Sequence, residues 1–382
     1  MITAGHAQTT RARFDRFISR TFRAVVLQPT TYCSWSCDYC YLPTKDLRLT
    51  MPVSVAEAVA LSVEEQALPE CVEVVWHGGE PLATGMDQFE ALLDPFEASR
   101  LGGRARHSLQ TGAGLINPAW CELFLRYGFT VGVSIDGPEW ADFQRHDRAG
   151  RSAHGRIMRG IRTLQDHGIP FTAIAVVTPS TIGRADEIAE FFEGLGCASV
   201  GFNIEEREGA NASRPDVEYE RARQFWLTLL RRRAVGATLR VRDLDRLISF
   251  VSASRLQHSP WTGHLYEPIP TVSWDGKTVI LSPELAGIDA PEYNDFVLGS
   301  VLEESLSSML AHAHDARYVD EFTRALTSCA ADCEFYDFCL GAQAGNRYFE
   351  HANLGVMETG YCRNTRQALV QALHDYTREE SQ

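Results

Sequence analysis

The sequence lacks the features of a membrane, secreted or nucleic-acid-binding protein. It has no apolar run long enough to span a bilayer. The segment from Met1 to Thr21 is polar and has no apolar stretch with a small-residue cleavage site, as a secretory signal would. Basic residues are outnumbered, with 36 Lys and Arg against 50 Asp and Glu, and the net charge of −14 disfavours contact with phosphate backbones. We therefore predict a cytoplasmic protein with no nucleic-acid partner and no membrane partner.

Internal repeats and low-complexity tracts are also missing, and the composition is that of an ordinary globular protein. The 382 residues are 45% hydrophobic and 23% charged, which suits one large domain with a smaller one. The ten cysteines are unevenly placed. Cys71, Cys121 and Cys197 stand alone in apolar or helical contexts and are predicted to be core residues. The other seven fall into two groups.

The first group is Cys33, Cys37 and Cys40, with the spacing C-x3-C-x2-C. Three thiolates are one fewer than a [4Fe–4S] cluster needs, so one iron would stay open for a substrate or cofactor. The alternative is three buried or disulfide-bonded cysteines. Short cysteine spacings in a reducing compartment favour metal over disulfide.

This motif, with Tyr39 directly before its last cysteine, resembles the signature of the radical S-adenosylmethionine (radical SAM) enzymes. In that family the methionyl amine and carboxylate of SAM occupy the open iron. The resemblance implies SAM and a [4Fe–4S] cluster as cofactors. It also implies an electron donor such as flavodoxin or ferredoxin.

Short apolar runs alternate with helical patterns from Ala24 onward, which predicts βαβ units and a parallel sheet. Six such units predict an α/β fold, a partial (β/α)6 barrel with its chemistry at the carboxyl ends of the strands. The expected strands cover residues 24–28, 72–77, 106–111, 130–137, 170–177 and 199–204. The expected helices cover residues 54–66, 86–98, 119–127, 156–167 and 188–195.

The second expected strand ends in Gly78-Gly79-Glu80-Pro81. Two glycines let the backbone approach a ligand closely, and a carboxylate can pair with an ammonium group, although the motif alone also suits a simple turn. This segment follows the cysteine loop by one β/α unit. In that position it resembles the radical SAM element that binds the methionyl amine. The resemblance implies cofactor binding by Gly78, Gly79 and Glu80. Thr111-Gly112 departs from the family's usual Asn-Gly, so we assign it no role.

The same resemblance implies further cofactor contacts at other strand ends. Ser134 would contact the ribose or amino-acid portion of SAM, and Tyr39 would lie near the adenine. Asp142 and Arg145 match the family's D-x-x-R, in which the arginine holds the SAM carboxylate. Asn203, near the end of the sixth strand, is expected to join this set.

The pattern changes after Glu205. Long helices are predicted over residues 216–233 and 244–255, followed by a hairpin over 272–281 with its turn at Asp275-Gly276. We predict an N-terminal extension over 1–23, the partial barrel over 24–235 and a third unit over 236–382.

The second group, Cys329, Cys333, Cys339 and Cys362, supplies four thiolates in that third unit. Four thiolates suit a fully ligated [4Fe–4S] cluster or a tetrahedral zinc ion, and spacing alone leaves both open. The region resembles the SPASM extension of radical SAM enzymes, which implies a second, auxiliary [4Fe–4S] cluster. Typical SPASM domains hold two auxiliary clusters, whereas these cysteines suffice for one, so we predict an abbreviated SPASM-type domain.

Several shorter segments resemble the peptide maturases that form cyclophanes in ribosomally made precursor peptides. The resemblance implies a carbon–carbon bond between an aromatic ring and a nearby side-chain Cβ. It also implies a carboxylate base, with Glu284 the first candidate and Glu205, Glu206 and Asp142 behind it. These segments are residues 201–209, 281–285, 295–299 and 341–363.

Three alternatives stay open at this point. One is a sulfatase-type maturase that produces formylglycine, which residues 24–190 resemble about as well. Another is a radical SAM enzyme that makes a different peptide crosslink or an epimer. The last is a zinc-stabilised scaffold that binds a peptide without catalysis. No domain of roughly eighty residues precedes the barrel, so we expect the precursor's leader to bind at a sheet edge or on another protein.

Overall fold

Six apolar segments form parallel strands in the computed structural model, which describes residues 4–66, 70–211, 213–255 and 264–380. The strands lie in the order β6-β5-β4-β3-β2-β1, and each pairs in parallel with its neighbour. The predicted (β/α)6 partial barrel is confirmed. The strands are β1 (Ala24–Leu27), β2 (Val72–Trp76), β3 (Ala105–Thr111), β4 (Thr130–Ser134), β5 (Phe171–Val177) and β6 (Val200–Ile204).

Helices connect these strands and cover one face of the sheet. On β6, the Phe202 ring packs 5.7 Å from Phe192 and 5.3 Å from Phe225, both on covering helices. Side chains alternate along a strand, so Gly201 and Asn203 point to the opposite, inner face. The helices are α1 (Ala4–Phe17), α2 (Val53–Glu65), α3 (Met86–Leu93), α4 (Glu97–Leu101), α5 (Pro118–Tyr127), α6 (His154–Asp166), α7 (Ala185–Leu195) and α8 (Tyr219–Ala234).

The helix expected over residues 86–98 is interrupted. α3 ends at Leu93, a 3-10 turn covers Asp94–Phe96, and α4 follows. Pro95 lies in that turn, and proline has no N–H to continue an α-helical hydrogen-bond pattern.

The C-terminal third of the chain extends the same sheet. β7 pairs in parallel with β1, and β8 and β9 follow antiparallel. The hairpin turn lies at Asp275-Gly276 as predicted, with Gly276 at φ +89°. The elements are α9 (Arg242–Arg255), β7 (Thr271–Val272), β8 (Lys277–Val279), β9 (Gly299–Ser300), α10 (Leu306–His312), α11 (Arg317–Asp332), α12 (Tyr336–Cys339), α13 (Ala344–His351) and α14 (Ala368–Glu379).

The two ends of the chain pack against distant parts of it. α14 lies along α8, where Arg223 and Asp375 form an ion pair. α1 lies along α11, where Arg13 and Asp320 pair at 2.6 Å. The boundary near residue 235 falls between α8 and α9, and the limits 1–23, 24–235 and 236–382 stay a prediction. Among the helices described, none is both long enough and apolar enough to cross a membrane.

Candidate active site

The first three cysteines lie in the loop between β1 and α2. Thr30 and Thr31 brace this loop, since their hydroxyls donate to the carbonyls of Leu49 (2.9 Å) and Leu47 (2.8 Å). All three thiols are free. Burial raises the pKa of Cys33, and the neighbouring Glu80, Cys37 and Cys40 raise it further. Burial also raises the pKa of Cys37 to about 11. The three thiols therefore stand near one another, and a cationic metal cluster would offset the cost of ionising them.

The Gly78-Gly79 turn packs directly on this loop. Gly79 has φ +64°, and a Cβ there would lie 2.7 Å from the carbonyl oxygens of Thr30 and Tyr32. The Glu80 amide donates to the Tyr32 carbonyl at 2.8 Å. A side chain at residue 79 would push the two segments apart. The structure thus brings the cysteine loop and the glycine turn together as the sequence predicted.

Glu80 is buried at the centre of this junction. Its carboxylate accepts hydrogen bonds from the Thr111 hydroxyl (2.6 Å), the Gly112 amide (2.9 Å) and the Leu82 amide (3.3 Å). Burial raises the pKa of Glu80 despite these donors, so a bound cation would stabilise its charged form. Thr111 and Gly112, to which the sequence assigned no role, therefore position the predicted amine ligand.

Tyr39 and Arg145 meet at Asp136, a residue the sequence analysis did not single out. The Tyr39 hydroxyl donates to one Asp136 oxygen at 2.5 Å, and Arg145 donates to the other at 3.0 Å. The Val176 amide of β5 donates to the same carboxylate at 2.9 Å. Asp136 is buried two residues beyond β4. Its position directly after a strand was the one signal that could have revealed it.

Asp142 lies behind this network with no exposed surface. It accepts from the Asp136 amide at 3.0 Å, from His154 Nδ1 at 3.2 Å, and lies 3.5 Å from Arg145 Nε. Burial raises its pKa. From this place Asp142 orients Asp136 and Arg145.

Ser134 and Asn203 both face the inner side of the sheet. Gln110 Nε2 donates to the Ser134 hydroxyl at 2.7 Å, and Arg242 donates to the Asn203 oxygen at 3.1 Å. A Cβ at Gly201 would lie 2.5 Å from the Arg242 Cζ, so the glycine makes room for this guanidinium. Arg242, at the start of α9, is a neighbour of Asn203 that the sequence analysis did not identify.

The predicted carboxylates separate into two environments. Glu205 is buried and forms an ion pair with Arg214, which also donates to the Gln144 oxygen at 2.7 Å. Burial raises the pKa of Glu205, and the pairing with Arg214 opposes this. Glu205 is thus engaged by a cation at close range.

Glu206, Glu208 and Glu284 form what we call the carboxylate cluster. Asn346 Nδ2 donates to Glu206 and, at 3.1 Å, to Glu208, while the Ser282 hydroxyl donates to Glu284. Burial raises the pKa of all three groups. Neighbouring carboxylates raise the pKa of Glu206 and of Glu208 further. Carboxylates that interact in this way titrate as a unit, because the charge on one disfavours ionisation of the next. Glu208 was not predicted.

Tyr41 connects the carboxylate cluster to the first cysteine loop. Burial raises the pKa of Tyr41, and the nearby groups Glu284, Cys40 and Glu208 raise it further. The phenol therefore lies close to these three side chains. Its hydroxyl lies 3.3 Å from His77 Nε2. Burial lowers the pKa of His77 to about 4, so the imidazole is neutral at neutral pH. Tyr41 and His77 lie beside predicted motifs, yet nothing in those motifs distinguishes them.

The second cysteine group also converges. Cys339 and Cys362 hydrogen-bond, which lowers the pKa of Cys339 to about 6 and raises that of Cys362. Arg347 Nη2 lies 3.7 Å from Cys329 Sγ, and Gln367 Nε2 lies 3.5 Å from Cys362 Sγ. Several donors of this kind suit the sulfides and thiolates of an iron–sulfur cluster.

Zinc is the alternative at this second group, since four thiolates also suit a tetrahedral ion with zinc–sulfur distances of about 2.3 Å. In the described residues, no three histidine, cysteine, aspartate or glutamate side chains are gathered closely enough to hold one metal ion, and this applies to both cysteine groups alike. The observation that favours a cluster is the pair of donors, Arg347 and Gln367, at the sulfur atoms.

Comparison with known proteins gives one family match. The Radical SAM superfamily matches residues 27–192. The uncharacterized protein sll1766 of Synechocystis sp. is 32% identical over 353 residues, which cover 89% of this chain and 88% of that protein. The serine-type anaerobic sulfatase-maturating enzyme of Klebsiella aerogenes is 33% identical over 187 residues, or 47% of this chain. This alignment spans only 45% of the Klebsiella enzyme.

Two groups of solved structures share the fold. Native anSMEcpe with bound AdoMet has a TM-score of 0.73 at 19% identity and covers 92% of this chain and 97% of that one. Streptococcus suis SuiB bound to S-adenosylmethionine has a TM-score of 0.64 at 15% identity and covers 94% of this chain and 81% of SuiB. SuiB has also been solved bound to its precursor peptide SuiA, and anSMEcpe with a Cp18Cys peptide.

Proposed function

Because the chain belongs to the radical SAM superfamily, we propose that it is a peptide maturase that joins an aromatic ring to a nearby side-chain Cβ in a ribosomally made precursor. Enzymes of this superfamily use SAM and a [4Fe–4S] cluster, and Cys33, Cys37 and Cys40 fit such a cluster. Peptide-bound relatives of the same fold, SuiB and anSMEcpe, support a peptide as the substrate. The expectation of a flavodoxin or ferredoxin as electron donor stays a prediction.

The chain's own residues would hold SAM around the first cysteines. Glu80 lies where it can pair with the methionyl amine, and Asp136 holds Arg145 and Tyr39 beside Cys37. When bound, SAM and the cluster supply a 5′-deoxyadenosyl radical that takes a hydrogen atom from an unactivated carbon. The buried site orients this chemistry and excludes water from it.

The carboxylate cluster is the observation that carries the crosslinking proposal. A substrate radical that has added to an aromatic ring must lose one proton and one electron before the ring is aromatic again. Glu284 suits the role of proton acceptor, because burial raises its pKa and makes it a stronger base than an exposed glutamate. The second cysteine group, with four thiolates, suits an auxiliary cluster that takes the electron. Glu205 suits the role of base less well, because Arg214 engages it.

The sharpest test compares Glu284→Gln with Glu303→Gln, a change at an exposed carboxylate. Each variant is incubated anaerobically with SAM, a reductant and a synthetic peptide that carries an aromatic-x-polar triplet. We expect E284Q to release 5′-deoxyadenosine but to lose at least about tenfold in crosslinked peptide, and E303Q to behave as the native protein. Tandem mass spectrometry measures the crosslink, and a native yield from E284Q would remove Glu284 from this role.

Formylglycine formation is the second candidate, and the Klebsiella alignment favours it. Oxidation of serine to formylglycine and cyclophane formation both remove two hydrogens, so mass alone does not separate them. A hydrazide probe does, since it labels the aldehyde of formylglycine and not a cyclophane. An epimerising enzyme would leave the peptide mass unchanged.

A further inference from the structure

Arg347 is a buried cation beside the second cysteine group. Its side chain is 1% exposed, and Nη2 donates to the Gly341 carbonyl at 2.7 Å and lies 3.7 Å from Cys329 Sγ. Nη1 is buried without a hydrogen-bond partner in the described residues. In the same part of the chain, no ion pair joins Arg347 to a carboxylate. A buried charge without a counter-charge costs several kcal/mol. The Phe322 ring, 5.0 Å from the Arg347 Cζ, offsets part of this cost, and ionised thiolates at the cysteine site would supply the anion.

Arg366 approaches the same site from the π-helical turn Cys362–Gln367. It donates to the Tyr361 hydroxyl at 2.6 Å, and its Nε has no partner among the described residues. Asp243 lies 3.6 Å from Arg366 Nη1 and offsets part of its charge. The Arg366 Cζ lies 5.9 Å from the ring of Phe338, the residue directly before Cys339, and the Arg246 Cζ lies 5.5 Å from the same ring. Cations thus approach the four cysteines from more than one segment.

We propose that Arg347 and Arg366 raise the reduction potential of the auxiliary cluster on Cys329, Cys333, Cys339 and Cys362, which makes that cluster an electron acceptor. Reduction from [4Fe–4S]2+ to [4Fe–4S]+ adds one negative charge, and a nearby cation stabilises the reduced form. In the proposed reaction the electron comes from the substrate radical adduct, which is oxidised to the aromatic product. Its proton passes to Glu284.

The first cysteine group has a different charge balance. Arg145 near Cys37 is paired with Asp136 at 3.0 Å and lies 3.5 Å from Asp142, and Glu80 adds negative charge close to Cys33. Lys45 and Arg148 are further cations there, and they donate to the carbonyls of Cys37 at 3.3 Å and Cys33 at 3.0 Å. Arg145 and Arg148 are each paired with a carboxylate, whereas no ion pair joins Arg347 to a carboxylate in the described residues. This difference would make the second site the easier of the two to reduce, so that it can take the electron from the substrate adduct.

The proposal is tested by the midpoint potential of the auxiliary cluster in the full chain. Replacing Cys33, Cys37 and Cys40 together with Ala leaves this cluster as the source of the EPR signal during a redox titration. We expect Arg347→Gln to lower the equilibrium constant for reduction by at least about tenfold, which is about 59 mV for one electron. Arg366→Gln should lower it less, because Asp243 already offsets that charge. Arg324→Gln, on α11 but 57% exposed and paired with Asp320, should leave it unchanged.

Two further variants separate charge from packing. Arg347→Lys keeps the charge and should keep the potential close to that of the Arg347 protein. Asp243→Asn removes the carboxylate beside Arg366 and should raise the potential at native iron and sulfide content. An unchanged potential in R347Q with native iron and sulfide content would overturn the proposal. If R347Q binds no cluster, the D243N variant provides the test. A potential that does not rise in D243N would then overturn the proposal.

These measurements need no peptide substrate. The inference relies on the proposed function for the source of the electron, yet the two can fail separately. A lowered potential in R347Q together with a peptide that gains no crosslink would refute the crosslinking reaction and leave the role of the arginines standing. A four-cysteine site that binds no iron would end this inference without touching SAM cleavage at the first site.

Discussion

At the scale of single residues, one buried carboxylate organises the SAM-binding side of the site. Asp136 accepts hydrogen bonds from Tyr39, Arg145 and the Val176 amide, so strand β5, the cysteine loop and the D-x-x-R segment all meet there. The sequence predicted Tyr39 and Arg145 from motifs but not the residue that joins them. A motif fixes which side chains are present, whereas the contact between residues 39 and 136 exists only after folding.

We expect Asp136→Asn to destabilise the protein by about 3 kcal/mol, because it leaves the buried Arg145 guanidinium without its closest counter-charge. SAM cleavage should fall as well, since Tyr39 and Arg145 would lose their common anchor. Urea unfolding of the anaerobic protein measures the first effect and release of 5′-deoxyadenosine the second.

Asp15→Asn is the matched control for this change. The Asp15–Arg20 pair is 43% and 32% exposed, and its loss should cost at most about 1 kcal/mol. Equal destabilisation by D136N and D15N would show that the buried network contributes no more than a surface ion pair.

At the scale of elements, a glycine lets helix α6 pack close to the loop after β3. On α6, a Cβ at Gly160 would run into the Ala113 carbonyl oxygen, in the loop after β3. Ile157, Ile161 and Leu164 surround that glycine on the buried face. The helix can therefore lie close to the β3 loop that also carries Thr111 and Gly112, the partners of Glu80.

Two glycines on this helix give opposite predictions. Gly160→Ala should destabilise the protein by about 1–3 kcal/mol through overpacking. At Gly155 the backbone is helical and no atom lies within 4 Å of an added Cβ. Gly155→Ala should therefore stabilise the protein by about 0.5–1 kcal/mol. Urea unfolding of both variants measures the difference, and two changes of the same sign would contradict the close approach at Gly160.

At the scale of the whole molecule, one sheet joins the segments that carry the two cysteine groups. β7 pairs with β1, so the segment with the second cysteine group continues the sheet that carries the first. The carboxylate cluster draws its members from the loop after β6 and the turn after β8, and Asn346 of α13 holds two of them. In the proposed function, this arrangement would let the proton pass to Glu284 and the electron to the second cysteine group.

The core also gives global stability a dependence on pH. Burial lowers the pKa of His107 from its usual 6.5 to about 4, and the neutral ring accepts a hydrogen bond from Trp76 Nε1 at 3.1 Å. Between these values the unfolded chain binds a proton that the folded protein does not. The contribution of His107, about 3 kcal/mol, is therefore complete above pH 6.5 and is lost as the pH falls toward 4.

Replacement of His107 by Gln, whose amide can still accept from Trp76, should flatten this dependence. The free energy of unfolding is measured in urea at several pH values from 7.5 to about 4 for both proteins. The difference between H107Q and the native chain should shrink as the pH falls below 6.5. A constant difference across that range would show that His107 titrates alike in both states.

The sequence by itself determined the parallel sheet, the hairpin at Asp275-Gly276, the cofactor family and the two groups of cysteines, because strand periodicity, turn residues and ligand spacing are local properties of the chain. Only the tertiary structure decided that Asp136 anchors Tyr39 and Arg145, that Glu208 joins Glu206 and Glu284, and that Arg347 faces Cys329 without a counter-charge. These contacts join residues that the fold brings together or depend on burial. Burial, which sets whether a carboxylate keeps its proton or an arginine needs an anion, is a property of the folded molecule alone.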